Sequence, residues 1–446
     1  MKMFKNATKL TLKFLLAFAL ILNANVAISE VCYADTLKSD IITTGTVEER
    51  GLKLTECPSV SSPCALLKDD SGKLLFSRNA EKEVKIASLT KIMTALVALD
   101  YLSPTDQISV SQRAASVGGS SADLRNGDVL SFSDAILGLM VPSGNDAAVA
   151  IAETCGKKIS NISDDDVAYE SFVNEMNNKA QKLGCSNTKF TNPHGLDTDE
   201  YASDAHSCAN DLMIMVQTAM KNEIFSNSVK NAQVNITITR NGATTTVTLN
   251  STDELLGSFD GASGIKTGTT DEAGYCFAGA CKRDAGTVYS IVLGASDSSM
   301  RFSDTKTLFN WYFDNQVSFK LCNAQDNIMA KVANKSFLDK TVPLTIENPD
   351  EAITLFKFDG NVSQKITFYE VKGQVNEGDT LGKIEFIQNN NVICTRDLIS
   401  KESQDPPSIL ENISTHLTRF INIFTGGQNE ATSEILNDTP LLLKFT

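Results

Sequence analysis

The sequence predicts an α/β chain of the α+β kind, with a larger mixed domain followed by a small all-β domain. Strand patterns stand at both ends of the stretch from about residue 57 to 320, helical patterns fill its middle, and short alternating strands take over from about 321. At 446 residues the chain is too long for one ordinary core, so two folded units with tails are the natural division.

The first residues set themselves apart. Lys2, Lys5, Lys9 and Lys13 precede an apolar run from Phe14 to Leu22 and then small residues, the pattern of an export signal. The expected signal covers 1–34, with cleavage after Ala34 or nearer Ala27, and 35–56 reads as a leader segment. "CALLKDDSGKLLFSRNA" then shows two short strands about an Asp-Asp-Ser-Gly turn. Leu89, Ile92, Met93, Leu96 and Val97 recur at the spacing of a core-facing helix that begins near Ser88. Further helices are expected at 133–140, at 144–155 with Gly156 as the stop, at 167–183 with Gly184 as the stop, and at 209–221. "QVNITITRNGATTTVTLN" reads as a hairpin about Asn241-Gly242, and "GYCFAGACKRDAGTVYSIVLGA" as two more strands. The two chain ends should meet in one sheet, with the helices as an inserted subdomain.

From 321 to 400, "AITLFKFDG", "QKITFYEVKG" and "KIEFIQNNNVIC" make the small β domain. The segment 401–446 opens on the linker "ESQDPPS" and continues into a helix. On its one apolar face fall Ile409, Leu410, Ile413, Leu417, Phe420, Ile421 and Phe424. Two destinations are open for that face, a membrane surface and packing on the protein.

Composition excludes several classes. A formal charge of -14 leaves no basic surplus to displace phosphate counterions, so nucleic acid is not an expected partner. Ten cysteines are scattered without dense spacing, so most read as buried thiols, although Cys57 and Cys64 stand where they could close a small loop. With His194, His206 and His416 as the only histidines and no paired-cysteine spacing, neither a metal nor another cofactor is expected.

The chemistry starts from Ser88 and Lys91, one helical turn apart in "KIASLTKIMTALVALD". A serine hydroxyl is a weak nucleophile until a base takes its proton. A lysine serves as that base only when uncharged, a state that burial and a neighbouring cation favour. The spacing alone is weak, since Ser186-Lys189 and Ser303-Lys306 share it. Ser88 differs in its company: "VPSGND" supplies Ser143 and Asn145, and "GIKTGTTDEAGY" supplies Lys266, Thr267 and Gly268.

"IASLTKIMTAL", "GGSSADLRNGD", "LMVPSGNDAAVAIAE", "KLGCSNTKFTNPHGLD" and "GIKTGTTDEAGYCFAGACKRD" together resemble the serine D-alanyl-D-alanine carboxypeptidases, the low-molecular-mass penicillin-binding proteins. The likeness covers roughly 57–320, with the motifs in the family's order. It implies a β-lactamase/transpeptidase-like domain in which Ser88 attacks the carbonyl between two D-alanines, with Lys91 as base. It further implies that Ser143 relays a proton to the leaving amine and that Asn145 orients Lys91 and the substrate amide. Lys266 would keep Lys91 neutral and attract the terminal carboxylate, which Thr267 and Arg301 would also bind. Gly268 and Thr269 complete that strand, and the backbone N–H groups of Ser88 and Thr269 would hold the oxyanion. His194 and Asp197 would hold the insert against the sheet.

The resemblance implies removal of the terminal D-alanine from peptidoglycan stem peptides at the cell wall or the outer face of the cytoplasmic membrane, with β-lactams as covalent inhibitors. The alternatives are a β-lactamase, a D,D-endopeptidase, and a non-catalytic β-lactam sensor or cell-wall binder. No E-x-x-L-N-type segment stands between Asn145 and Lys266 to supply a β-lactamase's deacylating base. "ASVGGSSADLRNGD" is expected to border the pocket or to be a structural turn.

Overall fold

The computed structural model describes residues 37–440, and the expected signal at 1–34 lies outside them. The chain divides into two compact units between Asp314 and Asn315. Strand Gln316–Lys320 pairs with Ala352–Phe356 and so belongs to the second unit, which places the boundary earlier in the chain than the expected 320.

In the first unit, short strands β1 (Ile41–Ile42) and β2 (Gly45–Thr46) are followed by β3 (Cys64–Asp69) and β4 (Leu74–Arg78). A 3₁₀ turn, Ala87–Thr90, leads into α1 (Lys91–Tyr101). Then come β5 (Gln107–Ser109), α2 (Gln112–Ser116), β6 (Val129–Ser131), α3 (Phe132–Met140), α4 (Asn145–Ser160) and α5 (Asp165–Leu183). After α6 (Ala209–Met220) and α7 (Glu223–Val229) the chain returns to strands: β7 (Gln233–Arg240), β8 (Ala243–Asn250), β9 (Ala262–Thr270), β10 (Gly274–Arg283) and β11 (Gly286–Ala295). The unit closes with α8 (Ser298–Asp314).

The main sheet is antiparallel in the order β2-β1-β4-β3-β11-β10-β9, so both chain ends do build it and β9 is an edge. Two expectations change. The segment read as a leader is part of this sheet: β1 pairs with β4, and Arg78 Nε donates to the buried Asp40 carboxylate at 2.7 Å. The Asn241-Gly242 hairpin does not join the main sheet. It forms a second one in the order β5-β6-β7-β8, with φ of 51° at Asn241 and 77° at Gly242, the two positive values that a tight hairpin turn requires.

The expected apolar stripe of α1 understates its burial. Every side chain from Lys91 to Ala98 is buried, because α3, α4, α5 and α6 all pack around it. Small residues Ala95 and Ala98 allow that approach on the face opposite the stripe. Gly156 is not a helix stop, since α4 runs on to Ser160 and ends at left-handed Asn161. A Cβ at Gly156 would lie 1.9 Å from the carbonyl oxygen of Ala168, so its glycine serves the contact between α4 and α5. Gly184, by contrast, does end α5 with φ of 81°. Cys57 and Cys64 are free thiols, as are the other described cysteines.

The second unit begins with β12 (Gln316–Lys320), β13 (Ala330–Ala333), β14 (Thr341–Thr345), β15 (Ala352–Phe356) and β16 (Val362–Phe368). The hairpin β17 (Thr380–Gln388) and β18 (Asn391–Ser400), helix α9 (Ile409–Thr425) and β19 (Glu434–Ile435) follow. Its larger sheet runs β16-β17-β18-β14-β13-β19 and its smaller one β12-β15, around a core that includes Phe319, Leu344, Ile384, Phe386 and Leu398. The tail after α9 is therefore stitched into the domain through β19. Ser408 and Glu411 form a reciprocal cap at the start of α9. The apolar face of α9 does not pack on its own unit: Ile409 is 81% exposed and Phe424 is 75% exposed.

Candidate active site

The 3₁₀ turn before α1 presents a half-buried Ser88 hydroxyl, and Lys91, the first residue of α1, turns its side chain back toward it. Lys91 Nζ lies 2.8 Å from Ser88 Oγ, 2.6 Å from Asn145 Oδ1 and 2.8 Å from the carbonyl oxygen of His194. Asn145 cannot present its amide group instead, since its Nδ2 donates to the carbonyl of Gly118 at 2.8 Å. Two of the three partners of Nζ are thus oxygens that only accept. A neutral amine has two N–H bonds and one lone pair, so the N–H bonds go to Asn145 and His194 and the lone pair is left for the Ser88 proton.

Neutrality is what the surroundings favour. Lys91 is 0% exposed, and its pKa is held well below the ordinary lysine value by burial first and by the Lys266 charge second, with Asp146 opposing. Both Lys91 and Asn145 also open helices, whose N-terminal ends disfavour added positive charge. Lys266 is itself buried and donates to the carbonyl of Thr267 at 3.0 Å. Burial, followed by Arg301, lowers Lys266 to about 7, while Asp253 acts in the other direction.

Lys266, Thr267, Gly268 and Thr269 lie on edge strand β9, which packs on the Ser88 turn. Gly268 permits that approach: a Cβ there would lie 2.8 Å from the Ile86 carbonyl and 3.3 Å from Leu89 N. Thr267 Oγ1 is 2.6 Å from Thr252 Oγ1. Arg301, on α8, donates to Thr269 Oγ1 at 2.9 Å and to the Gly268 carbonyl at 3.2 Å, with its guanidinium over the Tyr275 ring. Ser143 sits in the loop between α3 and α4 with φ of 65°, a backbone conformation that non-glycine residues seldom adopt outside constrained sites. It is 3% exposed, and its hydroxyl makes no hydrogen bond among the described residues.

The fold therefore gathers the segments that the sequence singles out. Ser88, Lys91 and Asn145 touch directly, β9 brings Lys266 to Thr269 alongside, and Arg301 backs that strand. The competing Ser186-Lys189 and Ser303-Lys306 pairs are exposed, and Lys189 is paired with Asp204. Asp197 does reach the sheet, accepting from Thr270 Oγ1 at 2.7 Å.

Two contributions were not foreseen. The His194 carbonyl is a direct partner of Lys91, and no side-chain pattern announces a backbone oxygen. Its placement depends on Gly195, where φ is +88° and a Cβ would meet the Ala87 carbonyl at 2.0 Å. Asp146 is the other. Its carboxylate accepts from Ser121 Oγ and from the backbone of Ala122 and Leu124, at 2.6 to 3.1 Å, and so folds the Gly-Ser loop against α4. The readable signal was its place next to Asn145 in "SGND".

A buried lysine whose charge its surroundings disfavour, set on a serine hydroxyl and flanked by a second lysine and an arginine at a sheet edge, is the equipment of an acyl-transfer enzyme of the active-site-serine type. Comparison with known proteins makes this specific. A family model described as D-alanyl-D-alanine carboxypeptidase, peptidase S11, matches residues 31–297, more than half of the chain. The chain belongs to that family.

D-alanyl-D-alanine carboxypeptidase DacF of Bacillus subtilis (strain 168) is 28% identical over 362 residues, 80% of this chain and 88% of that protein. The D-alanyl-D-alanine carboxypeptidase of Streptomyces sp. (strain K15) is 32% identical over 289 residues, 61% of this chain and 96% of that one. The crystal structure of the Streptomyces K15 DD-transpeptidase superposes with a TM-score of 0.54 at 30% identity, covering 58% of this chain and 98% of its own.

Proposed function

We propose that the assembled groups carry out the reaction in named roles. The protein is a serine D-Ala-D-Ala carboxypeptidase, a hydrolase that acts on peptidoglycan peptides and is bound by β-lactams. Ser88 Oγ attacks the carbonyl between the two D-alanines as Lys91 Nζ takes its proton. The backbone N–H groups of Ser88 and Thr269 receive the oxyanion, a role supported by the close packing of β9 on the Ser88 turn. Ser143 passes a proton to the departing D-alanine amine, and its free hydroxyl supports that role. Asn145 orients Lys91 and the substrate amide. Lys266, Thr267 and Arg301 receive the terminal carboxylate, and water then releases the acyl group.

The observation that supports this reading most is the set of three Nζ contacts, which leaves the amine lone pair only Ser88 to face. Incubation with a peptide ending in D-Ala-D-Ala is expected to release D-alanine, and mass mapping after brief exposure to penicillin is expected to find the adduct on the Ser88 peptide. The adduct should be absent in Ser88→Ala and present in Ser186→Ala and Ser303→Ala. Absence of D-alanine release from the wild type sinks the carboxypeptidase assignment, and an adduct on another serine sinks the nucleophile.

The same proposal places the enzyme outside the cytoplasmic membrane, on the strength of the basic and apolar start of the chain. It also lays the exposed apolar face of α9 in a lipid surface. No helix among the described residues is long and apolar enough to cross a membrane, so α9 would lie in the interface plane.

A further inference from the structure

The turn between β8 and β9 joins two parts of the site. Thr252 N donates to the Val141 carbonyl at 3.2 Å, two residues before Ser143, while Thr252 Oγ1 meets Thr267 Oγ1. One residue thus ties the loop of Ser143 to the strand of Lys266. The next residue, Asp253, is only 6% exposed. Its Oδ1 accepts from Leu255 N at 2.9 Å and its own N–H donates to Ser251 Oγ at 3.1 Å, which fixes the carboxyl group in place. Oδ2 has no hydrogen-bond partner among the described residues.

A buried carboxylate with a bare oxygen is costly unless positive charge faces it. The charged groups around Asp253 are Lys266 on β9, Arg301 on α8 and its own neighbour Glu254. Both cations have donors to spare: Lys266 Nζ donates only to the Thr267 carbonyl among the described residues, and Arg301 Nε is buried without a partner. Two buried cations side by side repel each other, and Asp253 supplies the charge that offsets this.

We propose that Asp253 is a positioning residue whose carboxylate keeps Lys266 protonated beside Arg301, so that the pair can receive the terminal carboxylate of the substrate. The proposal rests on the carboxypeptidase reading and deepens it. Burial and Arg301 lower Lys266, and Asp253 opposes them, so that it stands at about 7 and not further down. Burial pushes Asp253 itself up to about 6, against the Leu255 N–H and the two cations, so its charge is carried above that value. As pH rises through the Lys266 value the ammonium is lost and carboxylate binding weakens. Without the charge on residue 253, that loss begins at lower pH.

Asp253→Asn tests this, because the amide oxygen can still accept from Leu255 N while the charge is gone. kcat and KM for an acyl-D-Ala-D-Ala peptide, and the second-order rate of acylation by benzylpenicillin, are measured from about pH 5 to about pH 10, together with Tm. KM is expected to rise about tenfold near pH 8 with kcat within about threefold of wild type. The descending limb of kcat/KM moves about one unit lower, and Asp253→Glu recovers part of the loss.

Wild-type KM and an unmoved limb in Asp253→Asn overturn the proposal. So does an equal loss at every pH accompanied by a lowered Tm, the mark of a purely structural role. Penicillin also carries a carboxylate, so a shifted acylation limb with no D-alanine released by the wild type leaves Asp253 in its role and removes the carboxypeptidase reading instead.

Discussion

At the scale of single residues, the protonation state of one buried amine decides the direction of a hydrogen bond. As an ammonium, Lys91 would donate to Ser88, Asn145 and His194 alike and leave the serine proton with no base. As an amine it accepts from Ser88. In the proposed roles acylation needs Lys91 deprotonated and Lys266 protonated, two opposite demands on like groups that have different neighbours. kcat/KM is expected to climb with pH through the lowered Lys91 value and to fall above the Lys266 value of about 7, giving a bell-shaped profile in stopped-flow acylation. In Lys266→Gln the cation that helps depress Lys91 is gone, so the Lys91 pKa rises and the ascending limb moves to higher pH while the descending limb disappears. A flat profile in the wild type, or an ascending limb unmoved in Lys266→Gln, contradicts these assignments.

At the scale of elements, what was legible in the sequence was what short spacing and side-chain type encode. Ser88 and Lys91 are a turn apart, Ser143 and Asn145 sit at one loop-helix junction, and Lys266 to Thr269 lie along one strand. The hairpins of β3 and β4, β7 and β8, and β10 and β11 were equally plain from their turns. What escaped depends on contacts between distant segments. The His194 carbonyl reaches Lys91 across 103 positions of sequence.

Gly156 illustrates the same limit, because a glycine near a helix end and a glycine at a helix crossing look alike in one dimension. Gly156→Ala separates the two meanings. A stop would tolerate alanine or gain up to about 1 kcal/mol of helix propensity. A crossing whose new Cβ falls 1.9 Å from the Ala168 oxygen must move α4 from α5. The expected result is a loss of about 1 to 3 kcal/mol in urea unfolding. An unchanged or raised midpoint removes the packing role.

At the scale of the molecule, the two units have separate cores, and every group assigned to the reaction belongs to the first. The second unit presents a feature that folding alone does not require. α9 leaves Ile409, Leu410, Ile413, Leu417, Phe420, Ile421, Ile423 and Phe424 exposed, although it is capped at both ends and the chain after it returns to pair β19 with β13. Its polar residues include Arg419 and His416 against Glu411, so in the proposed lipid docking attraction to anionic headgroups is weak and apolar burial supplies the binding.

Vesicle sedimentation is accordingly expected to change little between phosphatidylcholine and mixed phosphatidylglycerol bilayers, and little with added salt. A chain ending at Asp314 stays in the supernatant and still acylates with penicillin at the full-length rate. The double variant Phe420→Ser, Phe424→Ser keeps both activity and Tm while losing the vesicles, because both rings are already exposed in the folded protein. Equal sedimentation of the double variant and the wild type removes α9 as the lipid-binding face, and loss of acylation in the shortened chain shows that the first unit depends on the second for its site.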